Sequence, residues 1–300
     1  MPRNVAELAV EFLIQNGIDN LYCLPGVQND PFFDALYDRR DVLRPIQARH
    51  EQGAAYMALG AALATGRPQA FCLVPGPGFL NGCAALCTAY ALNAPVFALI
   101  GQIPSGAIGK QFGLLHEIEG QLDTLQSLTK HAERIIDGEQ AAKQMKSAWS
   151  AMISGRPRPA GLEIPVDVWK QNLAVDSEDL VAAPTAGKSI DPGQIAAAAK
   201  LLGESKNPLV VVGSGAQKSS SLVREFAAEI KAGVIAFRNG HGVVRSDDPF
   251  SISLPMGHAL WSDCDLVVGL GTRLAIQKKD WGIDKNLKVI HIDIDPLSLN

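Results

Sequence analysis

The sequence predicts an α/β protein built from two doubly wound, mainly parallel sheets. Short apolar runs at 69–74, 96–100, 209–212 and 266–270 are too brief for helices and are bounded by Gly, Pro or polar residues. Between such runs lie longer stretches with helical periodicity, and strands alternating with helices imply a parallel sheet covered on both faces. A polar stretch with Pro184 and Gly187 separates two such series. We therefore expect a first domain at 1–170, a linker at 171–189 and a second domain at 190–300. Three hundred residues suffice for two cores.

Taken in order, Asn4 caps a helix with apolar positions Val5, Leu8, Ala9, Phe12 and Leu13, ended by Asn16-Gly17. Residues 20–24 read as a strand, Pro25-Gly26 as a turn and 31–36 as a short helix. A strand at 44–48 leads to a helix with Glu51 in its first turn, where the dipole favours a negative charge. Gly66 and Arg67-Pro68 end it. Its Ala54, Ala55, Ala58, Ala61 and Ala62 form a small-residue face, so something packs very close. Strands at 69–74, 96–100 and 161–165, with helices at 79–92 and 138–154, complete the first domain. The second has a helix at 191–202, capped by Asp191 with Pro192 at its first position. A strand at 209–212, a helix at 219–231 and strands at 234–237, 266–270 and 289–294 follow.

Composition narrows the function classes. Apolar residues at 47% and charged residues at 19% are ordinary for a globular protein. The net charge is -4 without a basic run, so no nucleic-acid surface is expected. The five cysteines (Cys23, Cys72, Cys83, Cys87 and Cys264) show no CxxC spacing and read as buried thiols in a reducing cytoplasm. The start, Met1-Pro2-Arg3-Asn4, runs straight into a helix, so we expect no signal peptide and a cytoplasmic location. Residues 83–101 carry no charge, but Asn93-Ala94-Pro95 breaks them into a helix and a strand, so no membrane span is expected.

Two glycine motifs stand at βα turns. Pro75-Gly76-Pro77-Gly78 is explained by a tight turn alone, or by close backbone approach to a ligand at the carboxyl end of a parallel strand. Gly213-Ser214-Gly215 begins like a dinucleotide fingerprint, but Lys218 replaces the third glycine. A turn after a Rossmann-like strand is the better reading, and an NAD-dependent enzyme is disfavoured.

The motifs also carry a family resemblance. His50-Glu51 with its Ala/Gly-rich helix to Thr65-Gly66 is followed by Gly76-Pro77-Gly78-Phe79-Leu80-Asn81, then by Ala94-Pro95 and a strand ending Gly101-Gln102. This succession resembles the thiamine-diphosphate enzymes that include acetolactate synthase, benzoylformate decarboxylase and pyruvate oxidase. The resemblance implies an aminopyrimidine-binding domain followed by a middle domain. It implies that Glu51 activates the cofactor through N1′ of its aminopyrimidine, with Pro25, Gly26, Gly76, Pro77, Gly78 and Asn81 around the cofactor. The implied reaction makes or breaks a C–C bond next to the carbonyl of a 2-keto acid or related substrate. The pocket would be lined by Val27, Gln28, Phe112, His116 and Glu117.

This chain departs from the family pattern in places. Synthases carry Phe-Gln-Glu where it has Leu115-His116-Glu117; His116 is the candidate acid/base, since imidazole titrates near neutral pH, or else an exposed loop histidine. Val27 stands where some decarboxylases use serine or aspartate, and Pro75 where a hydroxyl residue is usual. Lys130 matches a lysine common in the family and reads as structural. The Gly-Asp-Gly motif that holds Mg²⁺ and the diphosphate does not occur, and the sequence stops just after Asp295-Pro296. We therefore expect the front part of a longer enzyme or one subunit of a split one, with no metal ligand here.

The resemblance further implies a homodimer or homotetramer, with the site at the subunit interface and the helices around Glu51 and Leu86 packed there. Gly269-Leu270-Gly271-Thr272-Arg273 and His291-Ile292-Asp293-Ile294-Asp295-Pro296 fit the middle domain, which binds FAD or ADP in some members and nothing in others. Arg273 suits a nucleotide phosphate or a surface ion pair. The rival reading is a non-catalytic nucleotide-binding or regulatory α/β protein that kept the fold.

Overall fold

The computed structural model describes residues 4–173, 179–187, 189–282 and 286–299. The chain divides into two compact units, Met1–Ala186 and Gly187–Asn300. Residues 174–178 and 188 of the stretch expected as linker lie outside the described residues, as do residues 1–3 of the expected leaderless start.

The first unit runs α1 (Val5–Gln15), β1 (Asn20–Cys23), α2 (Asp30–Tyr37), β2 (Arg44–Gln47), α3 (Glu51–Thr65), β3 (Gln69–Leu73), α4 (Pro77–Leu92), β4 (Val96–Gln102), α5 (Gln121–Leu128), β5 (His131–Arg134), α6 (Gly138–Ile153) and β6 (Ala160–Pro165). Its sheet has the order β2-β1-β3-β4-β6-β5, and every pairing is parallel. All residues of β3, β4 and β6 are buried, as a doubly covered parallel sheet requires. Phe12, Phe32, Phe97 and Trp149 form the core on the face of α1, α2 and α6. Phe71, Phe79, Leu86 and Ile100 form it on the face of α3, α4 and α5. After β2 the chain crosses to the other side of β1 through α3. The gap between β1 and β3 is therefore the topological switch point, where open α/β sheets bind ligands beyond their carboxyl ends.

Several details differ from expectation. Helix α4 begins at Pro77, because Gly76 at φ +58° supplies the turn and proline suits a first helical position. Helix α5 and strand β5 have no counterpart in the sequence reading. As an edge strand, β5 is polar and lacks a hydrophobic signature. Cys23 and Cys72 are buried, but Cys83 and Cys264 are half-buried and Cys87 is exposed, which corrects the reading of all five as buried. Burial still pushes Cys23, Cys83 and Cys264 up to about 11. Lys130 donates its Nζ to the carbonyls of Ser154 and Arg156, tying the start of β5 to the end of α6. Leu180, within the expected linker, is fully buried on α1. Asn16 brackets it, donating Nδ2 to Leu180 O at 2.9 Å and accepting from Ala182 N at 2.9 Å.

The second unit contains α7 (Pro192–Glu204), β7 (Pro208–Val212), α8 (Ser220–Glu229), β8 (Gly233–Ala236), β9 (Ser251–Ile252), α9 (Leu254–Trp261), β10 (Leu266–Leu270) and β11 (Lys288–Ile292). Its parallel sheet has the order β11-β10-β7-β8-β9, with a switch point between β7 and β10. The two-residue strand β9 and the short α9 are too brief to have shown in the sequence. Among the described residues no helix is long and apolar enough to cross a membrane.

Candidate cofactor and substrate site

Glu51 is the first residue of α3, at the carboxyl edge of the first sheet. His50 caps the helix, its Nδ1 accepting from Gln52 N at 3.2 Å. The Glu51 carboxylate is half-exposed, and Asn81 of α4 donates Nδ2 to its Oε2 at 2.9 Å. Its other oxygen faces Gly78, where a Cβ would stand 3.6 Å from Oε1 and 2.5 Å from Val74 Cγ2. The alanine face of α3 packs inside the unit: Ala54, Ala55, Ala58 and Ala62 are buried, and α3 lies against α4. A Cβ on Gly82 of α4 would meet Ala55 Cβ at 3.7 Å. This corrects the expectation that the small-residue face meets another subunit.

Three turns converge on the same spot. Gly26, just after Pro25, lies so close to Val74 that a Cβ would be 2.6 Å from its Cγ1. Gly76 has φ +58°, and a Cβ there would be 2.5 Å from the carbonyl oxygen of His116. Glycine is thus required at 76 for its conformation and for the close approach. Pro77 opens α4 beside it.

His116 itself has φ +68°, and its Nδ1 lies 3.1 Å from Gln28 Oε1. Gln28 is buried and donates Nε2 to Leu115 O at 3.1 Å. A carbonyl only accepts, so that contact orients the amide and turns Oε1 to the ring. Nδ1 then carries the proton, and in neutral imidazole Nε2 is the basic nitrogen. Of the residues expected in the pocket, Gln28 and His116 meet. Val27 and Phe112 stand exposed, at 59% and 63%. Glu117 turns its Oε2 back to Leu114 N at 2.8 Å, capping its own loop.

Sequence reasoning missed Val74 and Gln121, and had Asn29 only as a polar residue next to Gln28 after Val27. Asn29 is fully buried and donates Nδ2 to Leu73 O at 2.8 Å, fixing the loop after β1 to the end of β3. Isolated buried amides leave no periodic signal; the nearest hint was the pair of polar residues following Pro25-Gly26-Val27.

The second unit uses its glycines differently. Gly215 N donates to Gly271 O at 3.0 Å, and a Cβ on Gly213 would lie 2.3 Å from that oxygen. Gly271, at φ +56°, is equally close to Gly215. Lys218 sits in the 3₁₀ turn Ser214–Ser219. Mutual packing of the loops after β7 and β10 accounts for this motif. Among the described residues, no group of three or more His, Cys, Asp or Glu is arranged to hold a metal ion.

Residues 3–127 match the family model described as "Thiamine pyrophosphate enzyme, N-terminal TPP binding domain", and residues 195–300 match "Thiamine pyrophosphate enzyme, central domain". The chain belongs to the thiamine pyrophosphate enzyme family. Relatives in that family include the probable acetolactate synthase large subunit of Methanocaldococcus jannaschii, 31% identical over 313 residues (98% of this chain, 51% of the relative). The acetolactate synthase isozyme 1 large subunit of Escherichia coli is 30% identical, covering 98% of this chain and 53% of the relative. The probable 2-ketoarginine decarboxylase AruI of Pseudomonas aeruginosa is 28% identical, covering 97% and 53%. The chain spans about half the length of these curated relatives.

Proposed function

We propose that this chain supplies the aminopyrimidine half-site of a thiamine-diphosphate enzyme that makes or breaks a C–C bond beside the carbonyl of a 2-keto acid. The activity is acetolactate-synthase-like or 2-keto acid decarboxylase-like. The observation that carries this reading is the Glu51 carboxylate at the β1/β3 switch point, with Oε2 held by Asn81 and Oε1 toward Gly78. That arrangement fits the group. One carboxylate oxygen is fixed by an amide donor, and the other is left for a ring nitrogen beside Gly78 and the Val74 side chain. Glu51 would hold N1′, and Gly26, Val74, Gly76 and Gly78 would bound the ring.

When bound, thiamine diphosphate supplies the carbon nucleophile and the electron sink for this chemistry. Glu51 holds and returns a proton at its carboxylate, while Asn81 keeps that carboxylate in one rotamer. His116 takes or gives a proton at Nε2, and Gln28 keeps the other ring nitrogen protonated. Val27 and Phe112 offer apolar surface to the substrate, and Glu117 holds the turn before His116. The diphosphate and Mg²⁺ are assigned to a Gly-Asp-Gly domain outside this sequence.

The assembly is assigned as a homodimer or homotetramer in the cytoplasm, with the site between subunits. No charged residue occurs at 52–66 or 68–109, and α3 and α4 expose Tyr56, Met57, Leu63 and Leu80. This uncharged outer face, rather than the buried alanines, is where a second copy would pack.

The test is exchange of the C2 proton of bound thiamine diphosphate, followed by NMR in the complete enzyme. Glu51→Gln should slow it by about 10²–10⁴-fold with the fold intact by circular dichroism. Near wild-type exchange would remove Glu51 from this role, and the reading with it.

A further inference from the structure

We infer that Gln121 is a positioning residue that couples the His116 loop to the cradle around Glu51. Strand β3 ends at Leu73, paired with Ile100, whereas β4 continues to Gln102. Beyond that last pair the chain peels away through Val74-Pro75-Gly76, and proline has no N–H to offer. Gly101 O and Gly76 N–H are thereby left without strand partners on this side. The side-chain amide of Gln121 fills the gap. Its Oε1 accepts from Gly76 N at 2.7 Å, and its Nε2 donates to Gly101 O at 3.0 Å. Each contact dictates which end of the amide faces it, so its orientation is unambiguous. Gln121 is 1% exposed and replaces the missing ladder as a peptide group would.

The loop that leads into α5 meets Gly76 as well, since the His116 carbonyl oxygen lies 2.5 Å from where a Gly76 Cβ would stand. Gly76 caps α4, whose first turn carries Gly78 and whose next carries Asn81, both at the Glu51 carboxylate. Movement of Gln121 is thus transmitted to both sides of the site through Gly76. The inference rests on the proposed function only for what is being positioned; the mechanical coupling is independent of it.

The experiment is amide hydrogen exchange by NMR on the full chain, wild type against Gln121→Met, which keeps the length and loses both hydrogen bonds. The amides of Gly76, Leu114 and Glu117 should exchange about tenfold faster, with Leu162 and Ile164 in β6 unchanged. An unchanged Gly76, or equal acceleration at all five, would overturn the inference, because a residue that only stabilises the unit moves every amide together. If Gln121→Met does not fold, Gln121→Glu decides. Its carboxylate still accepts from Gly76 N but cannot donate to Gly101 O. Gly76 should then stay protected while Leu114 and Glu117 accelerate, and loss of protection at Gly76 would overturn the inference. The C2-proton exchange of the complete enzyme, measured in parallel for Glu51→Gln, separates the two readings, since near wild-type exchange there counts against the functional reading alone.

Discussion

The carboxyl edges of the two sheets share one plan and differ in what fills it. Each has a parallel sheet with a switch point, β1/β3 in the first unit and β7/β10 in the second, and each marks it with closely spaced glycines. In the first, Gly76 and Gly78 leave room beside a carboxylate and beneath the His116 loop. In the second, Gly213, Gly215 and Gly271 leave room for one another, and Gly215 N–H already satisfies Gly271 O. A glycine pattern therefore identifies a close approach without saying what approaches. The first edge adds a polar side chain with an unspent atom at the opening, Glu51, whereas the glycines of the second meet through Gly215 N–H and Gly271 O.

The largest effect that tests this contrast is at His116. His116→Ala should lower kcat about 10²–10⁴-fold while changing thiamine diphosphate affinity far less, as measured by steady-state kinetics and calorimetry. An unchanged kcat across the pH range would make His116 a loop residue and leave Glu51 alone to separate the two edges.

A smaller effect is expected in the second unit. Gly213→Ala places a Cβ 2.3 Å from Gly271 O, so the loops must part, costing about 1–3 kcal/mol in denaturant unfolding. Cofactor affinity should not follow. A matching loss of affinity would break the comparison by giving the second edge a part in the site.

The smallest effect concerns the root of the His116 loop. Asp167 accepts from Ser105 N at 2.8 Å and from Ser105 Oγ at 2.6 Å. Partial burial pushes its carboxyl up, but these bonds, with the backbone N–H groups of Asp167 and Val168, outweigh burial and hold it below its ordinary value. A folded-state pKa below the unfolded one means stability that is present above about pH 4 and lost as pH falls through the folded value. Asp167→Asn should lower Tm by about 2 °C at neutral pH, with the gap closing in acid. A gap that stays constant with pH would detach the carboxylate from this role and weaken the case that the first edge is specially braced.

By itself the sequence determined the two parallel α/β units, the caps at Asn4 and Asp191, the turns at Pro25-Gly26 and Gly76, and the place of Glu51 at a helix start. Periodicity, caps and turn residues act over a few neighbours, so a linear reading captures them. The tertiary structure alone decided the polar edge strand β5, the exposure of Cys87 and the use of the α3 alanines against α4. It also decided which glycines face a carboxylate and which face another loop. Gln121 shows why. Its partner Gly76 lies 45 residues away and Gly101 lies 20 away. A buried amide satisfied across such distances follows no local period, and only the packed sheet brings its partners within reach.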